Sequence, residues 1–376
     1  EGGKINDVTK EDIVEVIELG GEEWLWYHPH KIDVAIIRGT TADEDGNVTM
    51  DGEIGTGEAL AIAEAAKACG GIVIVQVKDV AAKNTLDPRD VKIPGVIVDY
   101  VVKADEADHM MTWDYAYNPA FNGDVKVPLD SVAPLKLNNR KIIARRCAME
   151  LIPDAVVNLG IGMPEGVSVV AAEEGIDSMV LTTEAGTIGG VPAGGLSFGA
   201  ATNASVILDQ PYQFDFYDGG GVDLAILGLA ESDVNGNINV SKFNGRVAGC
   251  GGFINITQNS KKVIFCGTFT AGGLKEEVKD GKLVITNEGR NKKFLNQVEQ
   301  VTFSGAYANA VGQPVLYVTE RAVFKLTPEG LELIEVAPGI DIEKDVLAYM
   351  DFKPIVKDVK LMDARIFEDK PMGLEL

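Results

Sequence analysis

Glu184 closes an apolar run, Met179-Val180-Leu181-Thr182-Thr183, and opens a glycine-rich stretch, Ala185-Gly186-Thr187-Ile188-Gly189-Gly190. A lone carboxylate at a strand tip, with few bulky neighbours, has an approachable head group suited to nucleophilic or acid/base chemistry. About twenty residues earlier lies a second glycine-rich turn, Gly160-Ile161-Gly162-Met163-Pro164-Glu165-Gly166. Two such turns close together imply a site for a large ligand with phosphates and a reactive end.

Other chemistries find less support. The histidines are His28, His30 and His109, and no Cys or His cluster completes a metal site around the His28-Pro29-His30 fragment. No GxSxG turn is present to build a serine hydrolase elbow. Cys69, Cys147, Cys250 and Cys266 form no CxxC pair and read as buried, reduced thiols of a cytoplasmic protein. Segment 155–184 admits a dinucleotide-binding reading, in which Glu184 would hold a ribose hydroxyl. Its spacing is GxGxxxG rather than GxGxxG, and Pro164 removes a backbone N–H from the turn. The plainest reading is that these glycines only permit tight packing.

The elements that would position Glu184 alternate between strand and helix. Residues 140–150 have helical spacing, Ala155–Leu159 is a short buried strand, and Glu165–Glu174 is a helix between Pro164 and Gly175. Strands follow at 179–183, 206–208, 222–229, 237–241, 262–267, 314–318 and 322–326. That order predicts an α/β fold with mostly parallel sheets covered by helices.

An internal repeat sets the organisation. Residues 32–50 (IDVAIIRGTTADEDGNVTM) align without a gap to residues 222–240 (VDLAILGLAESDVNGNINV), at an offset of 190. Asp33, Ala35, Ile36, Asp43, Gly46 and Asn47 match Asp223, Ala225, Ile226, Asp233, Gly236 and Asn237. Each copy is an apolar strand followed by a polar Gly-Asn turn. Asp43, Asp45, Glu231 and Asp233 are expected to cap those turns rather than do chemistry. About 85 residues, from the helix near Asn138 to Gly221, lead into the second copy, but 31 residues precede the first. The expectation is two homologous open α/β domains, the first lacking its N-terminal half. Residues 1–135 would hold the rest of the first domain and a linker (Pro119 to Pro134), and residues 136–376 the second, catalytic domain. Trp24, Trp26 and Tyr27 are expected to pack the first domain's edge or a subunit contact. Glu320 and Arg321 are expected to form a structural ion pair or to be exposed.

With 376 residues and a net charge of −23, the chain is too long for one ordinary core and too acidic for nucleic acid. No apolar run of about 18 residues or more marks a membrane span, and no leader pattern is seen. An anionic ligand would need local N–H groups or lysines to hold it.

Taken together, VNLGIGMPEGV (157–167), LTTEAGTIGG (181–190), the 219–240 block, GCGGFINI (249–256) and the 317–347 segment resemble family I coenzyme A transferases. The resemblance is greatest to the single-chain acetate or propionate CoA-transferase group, and it covers nearly the whole chain. It implies that Glu184 is the catalytic glutamate, which passes through an acyl-glutamyl anhydride to a glutamyl-CoA thioester. It further implies that Gly252 donates its backbone N–H to the oxyanion, and that Gly160, Ile161, Gly162, Met163 and Pro164 line the CoA arm, with Ala248 touching it. The substrates would be an acyl-CoA and a short-chain carboxylate, with no permanently bound cofactor and no metal. A homo-oligomer, ping-pong kinetics and a cytoplasmic location are also implied. The family's second oxyanion donor, a glutamine, would precede Glu1, in a segment that is deleted, disordered or a separate chain. Two alternatives remain at this point: an acyl-CoA hydrolase using the same glutamate, or a non-catalytic ligand-sensing module of related fold.

Overall fold

The computed structural model describes residues 8, 10–128 and 134–376. Two compact units are present. One comprises Glu1–Glu53, Glu58–Met110 and Lys242–Gly249; the other comprises Ile54–Gly57, Met111–Ser241 and Cys250–Leu376. Where it is described, the expected linker after Pro119 belongs to the second unit; residues 129–133 of it lie outside the described residues.

The first unit opens with a hairpin of β1 (Val14–Leu19) and β2 (Glu22–Tyr27). Its main sheet contains β3 (Val34–Asp43), β4 (Val48–Thr49), β5 (Ile72–Ala81), β6 (Val91–Ile93) and β7 (Tyr100–Lys103), in the order β6-β4-β3-β5-β7. The pairs β3–β5 and β5–β7 are parallel. Alternation along β3 puts Ala35 and Ile37 in the core, where Ala59, Ala63 and Ala66 of α1 (Ala59–Ala68) also sit. Trp24, Trp26 and Tyr27 project from the hairpin at 52%, 48% and 68% exposure, so within this unit they pack no edge. His109 is buried, with Nε2 3.1 Å from Glu53 Oε1, and Arg38 pairs with the other Glu53 oxygen at 2.9 Å.

The second unit begins with α2 (Asn139–Ala148), capped by the Asn138 side chain, which accepts from Lys141 N. β8 (Val156–Leu159), α3 (Gly166–Glu173), β9 (Val180–Thr182) and β10 (Thr187–Ile188) follow. Next come β11 (Val206–Ile207), α4 (Gln210–Asp218), β12 (Leu224–Gly228), β13 (Glu231–Asp233) and β14 (Ile238–Asn239). α5 (Phe253–Gln258), β15 (Lys262–Cys266), β16 (Val315–Val318), β17 (Ala322–Thr327), β18 (Gly330–Val336) and β19 (Ile355–Leu361) complete the frame. A ten-stranded sheet runs β11-β10-β9-β8-β12-β15-β16-β17-β18-β19. Its centre, β9 through β16, is parallel. Strands buried on both faces, such as LAILG in β12 and KVIFC in β15, read as continuous apolar runs because helices or loops cover both sides.

The repeat is visible in both units as one turn built twice. Asp43 Oδ1 accepts from Asp45 N (3.0 Å) and Asn47 N (2.9 Å), and Asp233 Oδ1 accepts from Asn235 N (3.0 Å) and Asn237 N (3.1 Å). Gly46 and Gly236 follow with φ of +83° and +75°, a conformation that favours glycine. The capping expected for the two aspartates is what the turns show. The copies differ in one place: β3 runs unbroken to Asp43, whereas the second copy is interrupted at Leu229-Ala230.

Glu320 and Arg321 form a buried ion pair at 2.7 Å, and Arg321 also reaches Glu288 at 2.6 Å. Cys147 and Cys266 are buried thiols. Cys69 and Cys250 are half-buried, contrary to the expectation for all four, because they lie in glycine-flanked segments at element ends. Among the described residues no helix is long and apolar enough to cross a membrane. Also among the described residues, no three His, Cys, Asp or Glu side chains are grouped to hold a metal ion.

Candidate functional site

The parallel strands of the second unit end along one edge, and their C-terminal ends carry the site. In an open α/β sheet this edge is where ligands bind, because loops and helix starts there leave N–H groups facing outward. Glu184 follows β9, Gly160 follows β8, Leu229 follows β12 and Gly267 follows β15. All four line a single cavity of about 580 Å³.

Glu184 occupies a tight turn between β9 and β10, closed by Gly186 N donating to Thr183 O (3.2 Å) and Thr183 N donating to Thr187 O (3.0 Å). Gly186 has φ +111°, and a Cβ there would run into the Leu208 carbonyl. The turn is therefore closed without using the Glu184 side chain, which is left clear.

Beneath the turn lies a buried polar network. Gln213 Nε2 donates to Thr183 O (3.1 Å) and to the Tyr217 hydroxyl (2.9 Å). Asn158 Nδ2 donates to the same hydroxyl (3.2 Å), which donates in turn to Thr182 Oγ1 (2.9 Å). Gln213 and Tyr217 lie four residues apart on α4, so one helix face meets both residues preceding Glu184.

The Glu184 carboxyl is half-buried, and burial raises it above the usual carboxylate range; the Gly252 N–H, donating to the carboxylate, opposes that rise. Tyr217 is also raised, by burial first, with the negative charge of Glu184 adding to it. Gly252 precedes α5. A Cβ built on it would overlap the Glu184 carboxylate, 2.8 Å from its carboxyl carbon, and would lie 2.9 Å from the Phe214 ring. Space, rather than backbone angle, demands glycine here, since its φ is −79°.

The Gly160–Gly166 turn supplies the neighbouring wall. Gly160 packs against β12, where a Cβ would lie 2.7 Å from Leu227 Cδ2. Ile161 is exposed, Met163 is half-buried and Pro164 is buried. Arg140 braces the turn from α2, donating to Gly162 O and to Glu165 Oε2 (3.2 Å). Gly160, Ile161 and Met163 line the cavity together with Glu184 and Gly252. Ala248 does not join them: it is exposed and belongs to the first compact unit, because the hairpin around Lys242–Gly249 leaves the second unit before Cys250 returns to it.

Sequence reasoning passed over Asn158, Gln213 and Tyr217, and also Lys293. The last looks like surface charge in an Asn-Lys-Lys-Phe run but is 8% exposed and lines the cavity. A polar Asn inside the apolar strand VVNL was the one available signal.

Residues 4–104 match the family model described as coenzyme A transferase. The chain is 53% identical to a caffeate CoA-transferase of Acetobacterium woodii, covering 100% of this chain and 73% of that protein. It is 47% identical to the acetate CoA-transferase YdiF of Escherichia coli (strain K12), covering 100% and 71%. The crystal structure of the acyl-CoA transferase YdiF from E. coli O157:H7, in a thioester complex with CoA, superposes with a TM-score of 0.92 at 46% identity, over 100% of this chain and 70% of that one. The glutaconate coenzyme A-transferase of Acidaminococcus fermentans, at 20% identity and a TM-score of 0.50 over 64% of this chain and 93% of that one, shares the fold.

Proposed function

Because this chain belongs to the coenzyme A transferase family, we propose that it moves coenzyme A from a short-chain acyl-CoA to a free carboxylate such as acetate or propionate, with Glu184 as the covalent nucleophile. Membership in a family of transferases removes the ligand-sensing alternative. The observation that carries the reading is the Glu184 carboxylate, at a strand tip in a cavity of about 580 Å³, held by the Gly252 N–H.

The chemistry follows from that arrangement. A Glu184 oxygen attacks the thioester carbonyl of the acyl-CoA; the C–S bond breaks and CoA leaves as the thiolate, giving an acyl-glutamyl anhydride. The thiolate then attacks the carboxyl carbon of Glu184, expelling the acyl group as free carboxylate and leaving a glutamyl-CoA thioester. An incoming acid runs the two steps in reverse and departs as its CoA ester. In the second step negative charge develops on a Glu184 oxygen, where the Gly252 N–H already donates. One such donor contributes about 2.7–4 kcal/mol to a transition state. Burial raises the basicity of the carboxylate and shields the anhydride from water. Gly160, Ile161 and Met163 form the wall along which the CoA arm would lie, with Gly162 and the buried Pro164 shaping the turn behind them.

The relatives named for acetate and caffeate act on acids of very different size, so family membership leaves the acceptor open. Incubation with an acyl-CoA alone tests the mechanism: mass spectrometry should find CoA attached to the peptide containing Glu184, and Glu184→Gln should lose transfer by at least about a thousandfold. Retained transfer in Glu184→Gln, with no adduct in active wild-type protein, overturns the reading. Adding acetate separates transfer from hydrolysis, since a transferase yields acetyl-CoA and a hydrolase only free CoA.

A further inference from the structure

We infer that Ile54-Gly55-Thr56-Gly57 is a strap that positions the nucleophile, with Thr56 and Asp209 as the clasp that fixes it beside the turn carrying Glu184. The inference rests on Glu184 being the covalent nucleophile.

The strap is far from Glu184 in sequence. Its neighbours Glu53 and Glu58 belong to the first unit, yet these four residues belong to the second. Gly55 packs on the residue that follows the nucleophile: a Cβ built there would lie 3.1 Å from Ala185 O and 3.8 Å from Ile207 Cγ2 of β11. Ile54 anchors the strap in a small apolar cluster with Met111, Phe121 and Ala200. Next to that cluster, a Cβ on Gly199 would lie 3.6 Å from Ala185 Cβ and 4.0 Å from Ile54 Cδ1. The Gly199 carbonyl accepts from Thr183 Oγ1 at 3.1 Å. Both chain neighbours of Glu184 are thus held from this side.

Asp209 supplies an independent observation. It stands at the N-cap of α4, where an aspartate ordinarily accepts from an N–H of the first helical turn. Its side chain makes no such bond. It accepts instead from the Thr56 hydroxyl. The N–H of Gln210, the first residue of α4, donates to Gly57 O at 3.0 Å. The helix start therefore forgoes its local cap and takes the strap. The same helix carries Gln213 and Tyr217, which hold Thr183 and Thr182 from beneath.

Neither the strap nor Asp209 lines the cavity. Their effect on the reaction passes through the turn, which makes Thr56 and Asp209 positioning residues. A reacting group misplaced by about 1 Å can lose about 10² in rate.

The test measures steady-state rates and the single-turnover rate at which CoA becomes attached to Glu184. Thr56→Val keeps the shape and removes the hydroxyl; kcat and the attachment rate should fall by about tenfold, with KM for acyl-CoA within about twofold of wild type. Thr56→Ser, which restores the hydroxyl, should recover most of the rate. Asp209→Ala combined with Thr56→Val should be no slower than the slower single variant, since both remove one interaction. Gly55→Ala is the second probe, independent of the clasp. The φ of Gly55 is not positive, so an added methyl strains no backbone and pushes on Ala185 O. It too should lower kcat and leave KM. Unchanged rates in folded Thr56→Val and Gly55→Ala overturn the inference, as does a Thr56→Ser no faster than Thr56→Val. Glu184→Gln separates the two readings. Survival of transfer there sinks the mechanism on which this rests, whereas loss of transfer there with unchanged attachment in Thr56→Val sinks the strap alone.

Discussion

The Gly252 N–H donates to the carboxylate of Glu184, and the same glycine leaves no room for a Cβ between its backbone and that carboxylate. One residue therefore sets both the hydrogen bond and the distance of approach. Gly252→Ala must displace Glu184 or the start of α5, with Phe214 blocking the other side. The expected result is a kcat lower by about 10²–10³-fold, the value of one oxyanion donor. Circular dichroism should show an unchanged fold, since the substitution sits at the edge of the core. Steady-state rates with acetate and propionyl-CoA check it.

Glu184 also links activity to stability. Its carboxyl is raised above the ordinary value of 4.5 because burial penalises the charged form. The folded state therefore holds the proton more tightly than the unfolded state. The cost of burying the charge is absent below the unfolded value, appears as pH rises, and is complete above the folded value. Glu184→Gln, which keeps an oxygen for the Gly252 N–H, should raise the melting temperature at pH 7, with the gain vanishing below about pH 4.5. Thermal melts of both proteins from pH 4 to 8 measure this. In wild-type enzyme, the acid limb of kcat/KM should fall at a pH above that of an exposed glutamate.

Tyr217 positions the turn that carries Glu184. Its hydroxyl gathers Gln213, Asn158 and Thr182, and Gln213 in turn holds the Thr183 carbonyl. Tyr217→Phe leaves buried donors without an acceptor, which should cost about 1–3 kcal/mol in denaturant unfolding. A purely structural role would stop there. Positioning predicts more: kcat falls while KM for acyl-CoA holds. An unaltered kcat in folded Tyr217→Phe removes the role.

The parts of the fold legible from sequence were those whose physics is local. The Asp-x-x-Gly-Asn turn could be read twice because aspartate, glycine and asparagine each have a specific job within five residues. The strands of the parallel centre could be read because both of their faces are buried. The site was legible where glycines bracketed a carboxylate, at Glu184 and the Gly160–Gly166 turn. What remained hidden depends on distant partners. Arg145 and Arg146 resemble surface charge in RKIIARRCAME, yet Arg145 donates to the carbonyls of Ile366 and Lys370 at 3.1 and 2.6 Å, and Arg146 pairs with Glu335 at 2.8 Å. Lys293 was missed for the same reason: a lysine beside another lysine gives no sign that a strand tip will bury it. Ala248, expected beside Gly252 to touch the CoA arm, is exposed and does not line the cavity, because the chain leaves the second unit just there.

Lys293 should show the cost of a buried charge. Burial lowers its ammonium from 10.5 to about 8, against the opposing pull of Glu320 and Glu231. The folded state therefore holds this proton less tightly than the unfolded state. The cost is complete below the folded value, shrinks as pH rises, and is gone above the unfolded value. Lys293→Met, similar in length and uncharged, should raise the melting temperature at pH 7, with the gain vanishing above about pH 10.5. Thermal melts of both proteins from pH 6 to about 10.5 measure this. A gain that stays constant across that range would mean that burial of the ammonium is not what the substitution relieves.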